Sequence, residues 1–166
     1  MVSTALDPAR LATARDLVAD VLDPELPHVT IAELGILRDV SAEDGRVVVT
    51  ITPTYSGCPA MEAIAADVQA ALAAAHVDGE VRTVLAPAWS TDWITPSGRA
   101  KLADAGIAPP AHVGEAGGPV PLELAIRCPQ CGSTATRLVS RFGSTACKSL
   151  RVCSECAEPF DHFKPL

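Results

Sequence analysis

Apolar residues recur at three- and four-residue steps through Leu11, Ala14, Leu17, Val18, Val21 and Leu22, the spacing of one buried helix face. Asp7-Pro8 supplies the cap and first turn of this helix, and Asp23-Pro24 ends it, because the residue before proline avoids the helical region. Asp23-Pro24-Glu25-Leu26-Pro27 is then a rigid turn carrying two carboxylates, and Ile31-Ala32-Glu33-Leu34 predicts a single helical turn stopped by Gly35. Ile36 to Val40 and Arg46 to Thr52 read as strands joined by Ser41 to Gly45, a loop ending in Asp-Gly. Pro59 opens a second helix from Ala60 to about Ala75, with Met61, Ile64, Ala65, Val68, Ala71 and Leu72 on one side. Asp78-Gly79 turns the chain into a third strand, Glu80 to Leu85. A helix that links two strands predicts a crossover unit packed on a small mixed sheet.

Trp89-Ser90-Thr91-Asp92-Trp93 breaks the regular pattern; the two tryptophans cover a side of the sheet or offer a docking surface. Pro96 to Ala105 predicts a short helix ended by Gly106. A Pro/Gly-rich stretch follows, with Pro109, Pro110, Gly114, Gly117, Gly118, Pro119 and Pro121. Beyond it, Thr134 to Arg141 and Lys148 to Val152 alternate as strands do. The expected class is α/β (α+β): a domain over 1–107, a linker over 108–121 and a small β-rich ribbon over 122–166.

The chain has 166 residues, 48% of them hydrophobic, ample for a core. Only 4% are aromatic, so tightly packed alanine-rich helices are expected rather than aromatic pockets. No apolar run approaches the length of a membrane span, and residues 1–8 lack the basic and apolar regions of a secretory signal. A cytoplasmic protein without a membrane partner is the expectation. Net charge is −7, but residues 1–121 carry 7 basic and 16 acidic side chains, while 122–166 carry 6 and 4. The acidic body argues against a nucleic-acid partner, whose binding rests on phosphate neutralisation.

Cysteine placement adds the chemistry. Cys128-Pro-Gln-Cys131 and Cys153-Ser-Glu-Cys156 are two tight turns, each offering two thiolates. Together they predict a closed tetrahedral site for structural Zn2+, with iron in the same cage as the alternative. So small a segment needs the metal to fold. Cys58 lies in a loop just ahead of a helix N-terminus, where free N–H groups and the helix dipole favour a thiolate. Cys147 fits neither Cys-x-x-Cys turn. It is a packed strand residue or a second thiol beside Lys148.

The order Asp23-Pro24-Glu25-Leu26-Pro27, Ile31 to Val40, then Thr52-Pro53-Thr54-Tyr55-Ser56-Gly57-Cys58-Pro59 resembles the MIP18 (DUF59) family over residues 8 to about 90. That resemblance implies a MIP18-like fold and a role in iron–sulfur cluster assembly or delivery. It also implies a candidate iron or iron–sulfur site at Asp23, Glu25 and Cys58; Cys147, outside the resemblance, is a further candidate ligand. The tail from Ser140 to Lys164 resembles the D-component family of bacterial phenylacetyl-CoA ring-1,2-epoxidase systems. This implies an accessory, non-catalytic component in phenylacetate degradation, with the oxygenase and reductase subunits as partners. One thiolate cannot hold a cluster that needs four ligands; the others come from a second subunit, a client, a small thiol or Cys147, and a site shared between two copies of Cys58 in a homodimer, completed by Cys147, is the preferred expectation.

Two other functions compete. Cys58 could be a nucleophile with His28 as base and Asp23 or Glu25 as orienter, although no oxyanion-hole motif accompanies it. The ribbon could instead be a nucleic-acid module, against which stand the acidic body and the lack of a dense basic or aromatic patch.

Overall fold

Asp7 opens the first helix by accepting a hydrogen bond from the Ala9 N–H at 3.0 Å, and Pro8 fills the first turn, where its missing N–H costs nothing. The computed structural model describes residues 7–114 and 125–166. Helix α1 spans Pro8–Ala19 and buries Ala14 and Val18. It stops short of the expected Leu22 because the next residues pair in extended form. Ile31 N–H donates to Val21 O at 2.9 Å, Asp23 N–H donates to Val29 O at 3.0 Å, and Leu22 bridges Thr30.

The predicted turn at Ile31–Leu34 forms, and Thr30 and Glu33 close it reciprocally. The Thr30 hydroxyl accepts from Glu33 N–H at 3.1 Å, and the Glu33 carboxylate accepts from Thr30 N–H at 3.0 Å. Strands β1 (Leu37–Glu43) and β2 (Arg46–Ile51) then pair antiparallel. Their loop is shorter than expected: Asp44 and Gly45 alone make the turn, both left-handed at φ 49° and 81°. That hand matches the twist of the flanking strands and extends β1 to Glu43.

Helix α2 (Ala60–Ala74) buries Ala60, Ile64, Val68 and Leu72, a single file at four-residue spacing. It crosses over to β3 (Gly79–Thr83), which pairs parallel with β2 from Val47↔Gly79 to Ile51↔Thr83. The sheet order is β1-β2-β3, the mixed sheet the sequence predicts. Gly79 permits the close approach of helix and sheet, since a Cβ there would stand 2.9 Å from both Val47 O and Leu72 Cδ1. Val47, Val49, Ile51, Ile64 and Val68 are fully buried. Trp89 is 6% exposed and donates its indole N–H to Leu34 O at 3.0 Å, so it serves packing.

These elements form one compact unit ending at Trp89; a second runs from Ser90 to Leu166. Ser90 caps a 3-10 turn at Thr91–Trp93, and Thr95 caps α3 (Pro96–Asp104), after which Gly106 takes φ 78°. The expected division at 107 falls inside this second unit, because β4 (Ile107–Ala108) pairs parallel with β7 (Pro159–Phe163). β7 pairs in turn with β6 (Lys148–Cys153), and β6 with β5 (Thr136–Ser140), giving the order β4-β7-β6-β5. A Lys148–Asp161 ion pair at 3.3 Å, with the lysine side chain only 5% exposed, ties β6 to β7. Of the expected linker, residues 115–121 lie outside the described residues. Asp92 holds its start, accepting from Val113 N–H at 2.9 Å and Gly114 N–H at 2.8 Å.

Candidate metal and thiol sites

Two similar backbone turns present the four ribbon thiols. In the first, Gly132 N–H donates to Cys128 O at 2.8 Å and Cys128 N–H donates to Ser133 O at 2.9 Å. In the second, Cys153 N–H donates to Glu158 O at 3.0 Å, the same step of five residues. Both turns leave through a left-handed residue, Gly132 at φ 75° and Ala157 at φ 61°. The alanine bears the Cβ clash that a glycine avoids there.

All four sulfurs of Cys128, Cys131, Cys153 and Cys156 lie within 4.8 Å of one another. Cys128 Sγ is 3.7 Å from Cys156 Sγ, and Cys131 Sγ is 3.6 Å from Cys153 Sγ. A tetrahedron of Zn–S bonds of about 2.3 Å has edges of about 3.8 Å, so the donor set fits a four-thiolate cation site. Without a cation, the four cannot all ionise. N–H groups of Cys156 and Glu155 draw the Cys153 thiol down to about 7. At Cys156 the Glu158 N–H acts in the same downward sense. Burial and the other three sulfurs outweigh it and push that thiol up to about 12. A divalent cation reverses this repulsion.

Cys58 stands half-buried immediately before Pro59, the cap residue of α2. The backbone brings Asp23, Glu25 and Cys58 within electrostatic reach. Burial is the main force on the thiol and pushes it up. Ala60 N–H and the Thr54 hydroxyl pull down, while the Glu25 and then the Asp23 carboxylates push up again. The net shift is upward, the reverse of the thiolate expected from the helix N-terminus. The local argument from the dipole omitted burial first, and then two carboxylates that arrive from more than thirty residues earlier in the chain. Thr54 and Ala60 are the contacts that sequence reasoning missed. Thr54 carries the only signal, a hydroxyl in the same loop four residues before the cysteine.

Asp23 is buried and its Oδ1 accepts from Glu25 N–H at 2.8 Å and Leu26 N–H at 2.9 Å. It therefore shapes the turn that presents Glu25, rather than standing as a solvated carboxylate. Among the described residues, only the four ribbon cysteines bring three or more ligand atoms within 4.8 Å of one another. Cys58, Glu25 and Asp23 are thus neighbours but not a closed chelate. His28 is exposed and is not among the groups acting on the Cys58 thiol. Cys147 is buried, with its sulfur 3.0 Å from the Thr145 hydroxyl. Its carbonyl accepts from Lys164 N–H at 2.9 Å, within the ribbon.

Comparison with known proteins matches two parts of the chain to two families. Residues 11–85 match the family described as iron–sulfur cluster assembly protein, and residues 118–164 match the PaaD zinc beta ribbon domain. The chain is 45% identical over 150 residues to an Escherichia coli (strain K12) protein named as the D component of 1,2-phenylacetyl-CoA epoxidase. That match covers 89% of this chain and 88% of the relative. It is 43% identical over 75 residues to YitW of Bacillus subtilis (strain 168), named an Fe-S protein maturation auxiliary factor. Here 43% of this chain and 72% of the relative are covered. A crystal structure of a DUF59 domain from Bacillus anthracis superposes with a TM-score of 0.52 at 32% identity, covering 57% of this chain and 92% of that one.

Proposed function

The chain belongs to the family of 1,2-phenylacetyl-CoA epoxidase D components, and on that premise we propose that it is a non-catalytic accessory protein that handles iron or an iron–sulfur cluster for that oxygenase. The observation that supports this reading best is the placement of the half-buried Cys58 just ahead of α2, with the Glu25 and Asp23 carboxylates near enough to act on its thiol. Burial, with the two carboxylates adding to it, holds the thiol protonated until a cation arrives. Binding then releases the proton and turns repulsion into shared ligation. An incomplete donor set suits a carrier, since a cluster needs four ligands and leaves readily when some belong to others.

The remaining donors come from a second copy of Cys58 in a homodimer, from Cys147, or from a client protein. Glu25 serves as a transient oxygen ligand, while Asp23 holds the turn in place. The ribbon binds Zn2+ as a structural ion on Cys128, Cys131, Cys153 and Cys156. The partners are the oxygenase and reductase subunits, met in the reducing cytoplasm. No helix among the described residues is long and apolar enough to cross a membrane.

The test is anaerobic iron, sulfide and zinc analysis of the wild type beside Cys58→Ala and Cys147→Ala. The wild type should carry labile iron or cluster in addition to one zinc, and Cys58→Ala should lose the iron while keeping the zinc. Equal iron in both would overturn the assignment of Cys58.

A further inference from the structure

Among the described residues, the ribbon sheet has a face that its own elements leave open. Cross-strand partners Leu138 and Arg151, and Ser149 and His162, line a groove of about 390 Å³ on that face. Ser149 and His162 are buried at its floor. Burial, with Arg151 nearby, holds the His162 imidazole down to about 4, so the floor is uncharged at neutral pH. Leu138 is 47% exposed, and Phe142, at the wall, is 66% exposed. So large an exposed aromatic side chain next to an exposed leucine is a feature of docking surfaces.

Charge decides what such a surface takes. Three cations line the groove, Arg141, Arg151 and Lys164, and among the described residues no carboxylate does. Two of them are held in place. Lys164 Nζ lies 4.8 Å from the centre of the Phe142 ring and donates to Arg141 O at 3.3 Å, and Arg151 reaches Thr136 O at 3.5 Å. The cations are thereby oriented around an uncharged floor. β5, which contributes Leu138, pairs only with β6 among the described residues and forms the edge of its sheet.

We propose that this groove docks an acidic segment of a partner protein, lying in extended form along β5 with an apolar side chain seated between Leu138 and Phe142. An extended segment added at a sheet edge draws affinity from backbone hydrogen bonds and specificity from one pocketed side chain. A peptide fits better than a nucleic acid. Three cations neutralise few phosphates, and a chain of net charge −7 repels a long polyanion while a short acidic segment meets only the local field. The groove is independent of Cys58, so this docking stands or falls separately from the iron reading.

The test uses the zinc-loaded full chain and fluorescence anisotropy of a labelled short peptide alternating Glu with Leu and Phe. Phe142→Ser with Arg141→Ser should weaken binding by about tenfold or more, and added salt should weaken it further. Zinc content reports folding; if the double variant loses zinc, Arg141→Glu alone, at an exposed side chain, replaces it. Cys58→Ala should bind as the wild type does. Unchanged affinity in the groove variants overturns the proposal, as does equal binding of a Lys-for-Glu peptide or tighter binding of a single-stranded oligonucleotide. Dimerisation of the chain abolished by the same variants would assign the groove to a second copy and overturn it too.

Discussion

Ala157→Gly should tighten the ribbon, and Gly132→Ala should loosen it. Both residues leave a Cys-x-x-Cys turn in the left-handed region, at φ 61° and 75°. A non-glycine residue there costs roughly 1–2 kcal/mol through the clash of its Cβ with the following carbonyl. Glycine returns part of that through its greater freedom in the unfolded chain, roughly 0.5–1 kcal/mol. The net gain for Ala157→Gly is about 0.5–1 kcal/mol. Because metal binding and folding are linked in so small a module, this becomes a roughly two- to fivefold gain in apparent zinc affinity. Gly132→Ala isolates the backbone effect, since nothing lies within 4 Å of the Cβ it would add. Its loss should be of the same size. Competition with a chelator at fixed pH measures both variants on the full chain. If Ala157→Gly weakens zinc binding, or Gly132→Ala leaves it unchanged, the two turns are not held by the backbone geometry described.

Three further outcomes follow from the first unit and the zinc site. Asp23→Ala should destabilise the first unit by about 2–4 kcal/mol in denaturant melts, because two N–H groups lose a buried acceptor; Asp23→Asn, which keeps the oxygen, should cost far less. Glu25→Gln removes a negative neighbour that raises the Cys58 thiol, so more thiolate forms at any pH below its titration and iodoacetamide labelling of Cys58 should accelerate. Asp23→Asn should act in the same sense but less, and slower labelling in either variant would contradict the electrostatics. Chelation of zinc should unfold β5, β6 and β7 while the helical signal of α1 and α2 persists; loss of both together would show that the units do not fold separately.

Much of the fold was legible because its signals are local. Asp7-Pro8, Asp44-Gly45 and Pro96 each specify a cap or turn within a few residues, and the recurrence of Ile64, Val68 and Leu72 marks the buried face of α2, where Ala60 is buried in place of the expected Met61, Ala65 and Ala71, which are only half-buried. The cluster of four ribbon thiols was legible for the same reason, as two short turns. β4 and β7 were not. β4 is two residues long, and β7 buries His162 and pairs Asp161 with Lys148, so its polar residues hide the alternation of a strand. The end of α1 escaped because the pairing of Val21 and Leu22 with residues 30 and 31 is made by tertiary structure. The state of Cys58 escaped likewise. Its position before α2 is local, but the burial that mainly raises its thiol is tertiary, and the carboxylates that add to it come from the distant Asp23–Glu25 turn.

The central claim is that Cys58 carries iron or a cluster to the oxygenase, and one measurement tests it most directly. The epoxidase components are purified anaerobically from a strain whose own D component is replaced by this chain, either wild type or Cys58→Ala, and their iron and sulfide content is measured beside their activity. Wild type should yield loaded, active components. Cys58→Ala should yield components poor in iron or cluster, and inactive, although the variant itself is folded and zinc-loaded. Fully loaded and active components from the Cys58→Ala strain would contradict the account and leave Cys58 as a packing residue.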